Sequence, residues 1–247
     1  MKLVTRLVGI IIFLILFTNA EIGKSLDIGG VLDSAKKITG SGAGGGIGNS
    51  DVVNGLKEAL QKGTDYAVAT VSKPNGYYNN PSIKIPLPGE VQKMDKLLRT
   101  VGYGQKVDEF EMSMNRAAEK AAPEAKSIFL DALRQMNFDD AQKILKGPDN
   151  AATEYFKEKT SGHLTEAFKP IVKDSMNSVG ATRQYEDLHS KLSSIPMGSK
   201  LGFDLNQYVT DKSLKGLFFM VAEEEKKIRR DPAARTTDLL EKVFGSH

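Results

Sequence analysis

The chain of 247 residues contains neither cysteine nor tryptophan. Without cysteine it has no disulfides, thiol nucleophile or thiolate metal site, and no lipidated cysteine can follow a leader. Without tryptophan, a sugar-stacking platform would have to use tyrosine or phenylalanine. Stability must therefore come from packing alone, for which a chain of this length is sufficient.

Histidine is scarce as well, with His163, His189 and His247 as the only three. No two of them share the i,i+4 spacing of a helical zinc site, and no G-x-S-x-G nucleophile elbow occurs. We therefore expect no metal site, no cofactor and no catalytic residue, and a non-enzyme is favoured.

The charges almost cancel. Lysine and arginine number 34 and the acids 31, for a formal net charge of +3. Lys2 and Arg6 lie in the first twenty residues, which hold no acid, so 34 − 2 = 32 basic residues face 31 acidic ones in the remainder. Such a balance gives no overall field for nucleic acid or anionic lipid, and no nucleic-acid binding is expected.

Residues 1–20 have the pattern of a secretory signal peptide. Lys2 and Arg6 form a basic start, and Leu7–Phe17 is apolar. Thr18–Ala20 then supplies small residues at the positions that a signal peptidase reads. An uncleaved anchor is the alternative, but eleven core residues fall short of the roughly 20 that a spanning helix needs. We predict cleavage after Ala20, a periplasmic protein, and no stable membrane span thereafter.

Residues 21–48 are predicted to be a flexible linker. Gly40–Gly48 contains six glycines in nine positions. Gly40–Gly45 also matches the spacing G-x-G-x-x-G, but no buried strand precedes it, as dinucleotide binding would require.

From residue 49 onward apolar residues recur at helical spacing, which predicts a compact all-α multi-helix bundle in a single domain, 49–245. One short extended strap is expected at about 82–88, where Pro81, Pro86 and Pro88 prevent a full β ladder. The predicted helices are one from about 49 that ends before Pro74, then 90–100, 106–136 with a break at Pro123, 139–146, 151–159, 164–178, 182–193, 211–230 and 237–244.

Arg116 is the first candidate for a binding site. It lies with Met112 opposite the main apolar stripe of its helix, beside Asn115 and Glu119. Apolar or long side chains on both faces indicate a helix at the centre of the bundle. Arg116 is therefore expected to be partly buried.

A buried guanidinium needs a carboxylate partner. We predict that this partner comes from Glu223–Glu225 or Asp238, which would join the two ends of the bundle. A ligand-binding role for Arg116 is the alternative.

The run Glu223–Lys227 is expected to form a solvated helix face. Glu223 with Lys227, and Glu225 with Arg229, have the i,i+4 spacing of stabilising ion pairs. Asp139 and Asp140 are expected to begin a helix after Asn137.

Tyr77 and Tyr78 are the second candidate. They adjoin Asn79 and Asn80 in a proline-bounded segment, where two aromatics form either a recognition surface or a staple that holds the segment to the helices.

Several runs, taken in order, resemble the bacterial secreted family known as domain of unknown function 4197. They are Ile85–Pro88, Glu111–Glu119, Ala222–Arg229, Pro232–Leu240 and Lys242–Gly245. The resemblance extends from about Asn49 to Gly245. It implies a Gram-negative envelope protein with one helical domain and brings no catalytic residues.

Function is therefore predicted by class. We favour a non-enzymatic periplasmic binding or interaction protein whose partner is an unidentified envelope protein or small ligand. The alternatives are an envelope hydrolase, either carboxylate-based or assisted by a divalent metal, and a structural or chaperone-like factor.

Overall fold

The computed structural model describes residues 49–178, 180, 183, 185 and 204–230. The predicted signal peptide, the linker, the helix predicted at 237–244 and all but two residues of the helix predicted at 182–193 lie outside this part of the chain.

The described residues form an all-α bundle, as predicted, and contain no β-strand. The α-helices are α1 Asn49–Val71, α2 Gly89–Thr100, α3 Gly104–Ala121, α4 Ala125–Gln135, α5 Phe138–Lys146, α6 Ala151–Ser178 and α7 Leu205–Arg230.

The predicted break at Pro123 is confirmed. A 3₁₀ turn, Ala122–Glu124, separates α3 from α4 and places the proline where its missing N–H is tolerated. The predicted start after Asn137 is also confirmed, because Asn137 and Asp140 form a reciprocal capping box at the N-terminus of α5.

Two predicted boundaries are wrong. Residues 151–159 and 164–178 belong to one helix, α6, in which Thr160 and Leu164 are buried on either side of the exposed Gly162. Tertiary burial outweighs the weak local propensity at this point. Helix α7 begins at Leu205 rather than at residue 211, since Asp204 caps it through a 2.9 Å hydrogen bond from the Gln207 N–H.

The core lies where α7 packs against α6 and α1, while α3 packs against α6 and α7. Phe129 of α4 is its aromatic centre. Its ring centroid is 5.0 Å from that of Phe156 and 6.1 Å from that of Phe218. Among the described helices, none has the length and hydropathy needed to cross a membrane.

The segment between α1 and α2 lies in the groove between α3 and α7. The strap expected at 82–88 is the second half of this irregular segment, and from here on the name strap refers to residues 75–88. Tyr77, Ile83 and Ile85 are buried in the core, whereas Pro81, Ser82 and Pro86 are exposed. The non-helical character predicted for 82–88 is confirmed, and the prolines leave it without ladder partners.

Gly216 of α7 lets the strap approach this helix closely. A Cβ at this position would lie 2.6 Å from Tyr77 Cε1 and 3.1 Å from Ile83 Cβ, whereas a Cβ at Gly162 would meet nothing within 4 Å.

Gly216→Ala should lower the free energy of unfolding by about 1–3 kcal/mol through overpacking. Gly162→Ala should raise it by about 0.5–1 kcal/mol through helix propensity. Urea unfolding of both variants checks the prediction, and effects of the same sign would contradict it.

Candidate functional site

A buried carboxylate anchors the strap. Glu119 of α3 is only 4% exposed, and its Oε1 accepts hydrogen bonds from the backbone N–H groups of Tyr77 and Tyr78, at 3.1 and 3.3 Å. Its Oε2 accepts a 2.5 Å bond from Arg116 Nη1. The charge is thus removed from water and compensated by two amides and one guanidinium.

Asn115, one turn earlier on α3, replaces the missing strand partner. Its Oδ1 accepts from the Ile85 N–H at 2.8 Å, and its Nδ2 donates to the Ile85 carbonyl at 2.9 Å. The same Nδ2 donates to the Glu111 carbonyl at 2.8 Å. One fully buried amide therefore satisfies both backbone groups of a buried strap residue. We call Asn115, Arg116 and Glu119 the clasp.

Arg116 does not have the partner predicted for it. Its Nη1 pairs with Glu119, three residues further along the same helix, and its Nη2 donates to Asn75 Oδ1 at 2.8 Å. The prediction of a Glu223–Glu225 partner is wrong, and Asp238 lies outside the described residues. With 36% of the Arg116 side chain exposed, the buried charge of this pair is the carboxylate. Arg116 thus joins α3 to the start of the strap rather than one end of the bundle to the other.

Helix α3 buries polar residues as well as its apolar stripe. Asn115 and Glu119 are buried on α3 in addition to the apolar stripe, but Met112 is 39% exposed. The strap covers the face that carries Asn115 and Glu119.

Tyr77 acts as a staple. The ring is fully buried, and Oη donates to the Ser213 carbonyl of α7 at 2.6 Å. Burial raises the pKa of the Tyr77 phenol far above its ordinary value, and the negative charge of Glu119 adds to the effect.

Tyr78 is half-buried at the surface of the strap. Lys84 Nζ lies 4.4 Å from its ring centroid and 2.7 Å from Glu111 Oε2. A cation–π contact and an ion pair thus hold this aromatic ring in one position.

Helix α7 holds the other side of the strap. Tyr208 Oη donates to the Pro86 carbonyl at 3.0 Å, and Asn80 Nδ2 lies 3.6 Å from Met220 Sδ. These contacts, with that between Tyr77 and Ser213, fix the strap along α7 as the clasp fixes it along α3.

The structure brings the five candidate residues together in one site. Tyr77, Tyr78, Asn115, Arg116 and Glu119 all belong to the contact between the strap and α3. Sequence reasoning missed the partners on other elements, which are Asn75, Lys84, Tyr208 and Ser213. Of these four residues, only Asn75 had a local sequence signal. It lies in the motif Pro74-Asn75-Gly76, which is typical of a turn, and its φ of 69° is in the left-handed region.

The run at 223–227 is not a solvated face, because Glu224 and Glu225 are buried. The predicted pairing of Glu225 with Arg229 is confirmed at 2.9 Å. Lys227, however, pairs with Glu224 rather than with Glu223.

Glu225 is a second buried carboxylate that binds backbone amides. It accepts from the N–H groups of Ala152 and Thr153, at 2.9 and 2.8 Å, and so caps the N-terminus of α6. Its partner Arg229 donates to the Ile144 carbonyl near the end of α5 at 2.8 Å. This pair fixes the α5–α6 connection against α7.

An open groove of about 410 Å³ lies along the same connection. Its carboxylates are engaged locally. Asp140 belongs to the capping box, while Glu154 and Glu158 pair with Lys157 and Lys159. Within the described ranges no cluster of three or more potential metal ligands occurs, and His163 is exposed.

The fold and site define an all-helical protein whose irregular strap is clasped by buried polar side chains. The family model described as "Protein of unknown function (DUF4197)" matches residues 46–245, and the chain belongs to this family. No curated protein and no solved structure matches it.

Removing the charge of Glu119 should destabilise the fold more than removing Arg116. Glu119→Gln replaces one carboxylate oxygen by an NH2 group, which faces an N–H donor and cannot accept its hydrogen bond. This change should cost about 2–4 kcal/mol of unfolding free energy. Arg116→Ala leaves both amide bonds to Glu119 intact and should cost about 1–2 kcal/mol, less than a fully buried arginine would. Arg134→Ala is the control, since Arg134 pairs at the same i,i+3 spacing with an exposed Asp131 and should cost below about 0.5 kcal/mol. Urea titration gives the ranking. A cost for Glu119→Gln as small as that of Arg134→Ala would contradict the anchoring role.

Stability should fall at alkaline pH because two phenols resist ionisation in the folded state. Burial, with the charges of Asp140 and Glu158, raises the pKa of Tyr155 to about 12, and the pKa of Tyr77 is raised further still. Above about pH 10 the unfolded chain releases these protons first, so rising pH favours unfolding by up to about 1.4 kcal/mol per pH unit for each phenol. Tyr77→Phe and Tyr155→Phe should each reduce this slope between pH 10 and 12. Denaturant titrations measure it, with Tyr66→Phe, at a 56% exposed position, as the control. A slope unchanged in both variants would contradict the assignment.

Proposed function

We propose that the protein is a non-enzymatic binding protein of the cell envelope that recognises its partner with the strap. The clasp carries this proposal. It holds an irregular segment in one conformation through buried side chains of α3, so little conformational entropy is left to lose on binding.

The residues that the strap exposes are of the types found in binding loops, which supports the recognition of a partner. Asn79, Pro81, Ser82 and Pro86 are exposed, and the half-buried ring of Tyr78 is positioned by Lys84. Tyrosine, serine and asparagine are the residues that binding loops favour, since they combine contact area with adaptable hydrogen bonding.

The site favours binding over carboxylate-based hydrolysis. A hydrolytic carboxylate must face its substrate or an activated water. Glu119 instead directs both oxygens at the strap amides and Arg116, and Glu111 pairs with Lys84.

The envelope location rests on the sequence. Export directed by residues 1–20, with cleavage after Ala20, would place the protein in the periplasm. The glycine-rich 21–48 would then be a flexible lead-in, with an average end-to-end span of about 30 Å.

A photocrosslinking amino acid at Ser82 tests the strap as the binding surface. Incorporation of p-benzoylphenylalanine at Ser82 in the native host should give a discrete crosslinked adduct under ultraviolet light. The exposed Lys173 on α6 is the control position and should not give this adduct. When Asn115→Ala is combined with the crosslinker at position 82, the adduct should fall severalfold, because Ile85 loses both hydrogen bonds. The comparison is made at a temperature at which melting shows the chain to be folded. No adduct from Ser82, or the same adduct from Lys173, would contradict the proposal.

A further inference from the structure

Helix α7 has a basic and aromatic side that faces away from the core. We call Tyr208, Lys212, Lys215, Phe219, Lys226 and Arg230 the outer face of α7; all are exposed or half-exposed. Their spacings of three, four and seven residues place them on one side of the helix.

Positive charge on this face is only partly offset by local acids. Lys212, Lys215 and Lys226 have no carboxylate partner within the described part of the chain. Lys212 instead lies over Tyr208, with 5.5 Å between Nζ and the ring centroid. Arg230 is paired with Asp149 and adds little.

Two acidic residues, Asp211 and Glu223, border this face and keep their negative charge. Asp211 accepts a 2.8 Å hydrogen bond from Gln207 Nε2. Glu223 is half-buried and acts on Lys227, whose pKa is raised first by its hydrogen bond to Glu224 and in smaller part by the charge of Glu223. With Arg230 paired to Asp149, the three lysine charges of the outer face stand against the two carboxylates of Asp211 and Glu223 that border it, so a small excess of positive charge remains.

An apolar ring stands among these lysines. Phe219 is 42% exposed, on a helix whose opposite side is buried. At 1.5 Å per residue, Lys212 and Lys226 are separated by about 21 Å along α7. The face is thus a straight row of cations with an aromatic ring between them.

We propose that the outer face of α7 docks on an anionic lipid surface. A flat anionic surface can meet all three lysines at once, while Phe219 enters the headgroup boundary. The lysine stems reach outward with their charge in water. Each lysine that meets such a surface raises the partition coefficient about fivefold, and Debye screening confines the attraction to about 10 Å at 0.1 M salt.

This inference does not depend on a strap partner, although Tyr208 of the outer face also holds the strap through the Pro86 carbonyl. Flotation with vesicles of 30% phosphatidylglycerol and 70% phosphatidylcholine, compared with pure phosphatidylcholine, tests it on the full chain as isolated from its host. We expect binding to the anionic vesicles that weakens between 0.05 and 0.3 M salt. Replacing Lys212, Lys215 and Lys226 together by Gln should reduce binding about a hundredfold.

A matched triple variant removes the same charge elsewhere. Lys93, Lys143 and Lys173 are exposed on α2, α5 and α6, and their joint replacement by Gln should change binding less than about threefold. Phe219→Ser should weaken binding severalfold without lowering the melting temperature. Absence of binding to anionic vesicles, equal binding to neutral ones, or equal losses in the two triple variants would each overturn the proposal. The first result is also the one expected if the face meets an acidic protein segment instead. None of these variants replaces a strap residue, so crosslinking from Ser82 reports on the proposed function separately.

Discussion

The strap takes its position from one desolvated carboxylate. Glu119 is buried and needs partners for both oxygens, and the backbone amides of Tyr77 and Tyr78 satisfy one of them. Arg116 satisfies the other. Once these bonds form, Tyr77 can enter the core only at Gly216, where α7 carries no side chain to block it. This buried charge thus anchors the start of an irregular segment, whose remainder Asn115 and α7 hold in place.

Buried carboxylates take the place of disulfides in this cysteine-free chain. Glu119 binds an amide 42 residues away, and Glu225 binds one 73 residues away. Each bond joins segments that are distant in the sequence. It fixes the backbone in a connection or at a helix end, where packing between helices does not set its position. Such bonds are directional, whereas apolar contacts are not, so they determine the conformation of the connections rather than the size of the core.

Helix α7 connects the two proposed surfaces. Its inner side carries Gly216 and Ser213, which receive Tyr77, and its outer side carries the basic face. Tyr208 belongs to both, because its hydroxyl holds the Pro86 carbonyl while Lys212 lies over its ring. A protein docked on lipid through this helix would present the strap beside the membrane surface.

Local spacing predicted the helical class, the break at Pro123 and the helix start after Asn137, because helix periodicity and the preferences of helix ends act over a few residues. Local patterns also singled out the five candidate residues, Tyr77 and Tyr78 as neighbouring aromatics in a proline-bounded segment and the other three by their place on one helix. Only the tertiary structure decided that Arg116 pairs with Glu119, that Glu224 and Glu225 are buried, and that α6 continues through Gly162. Whether a carboxylate is solvated or buried depends on which distant segment covers it. For Glu119 that segment is the strap, whose prolines and asparagines give no periodic signal, and for Glu225 it is the N-terminus of α6. Helix type is a property of neighbouring residues, but the pairing of buried charges is a property of packing between segments far apart in the chain.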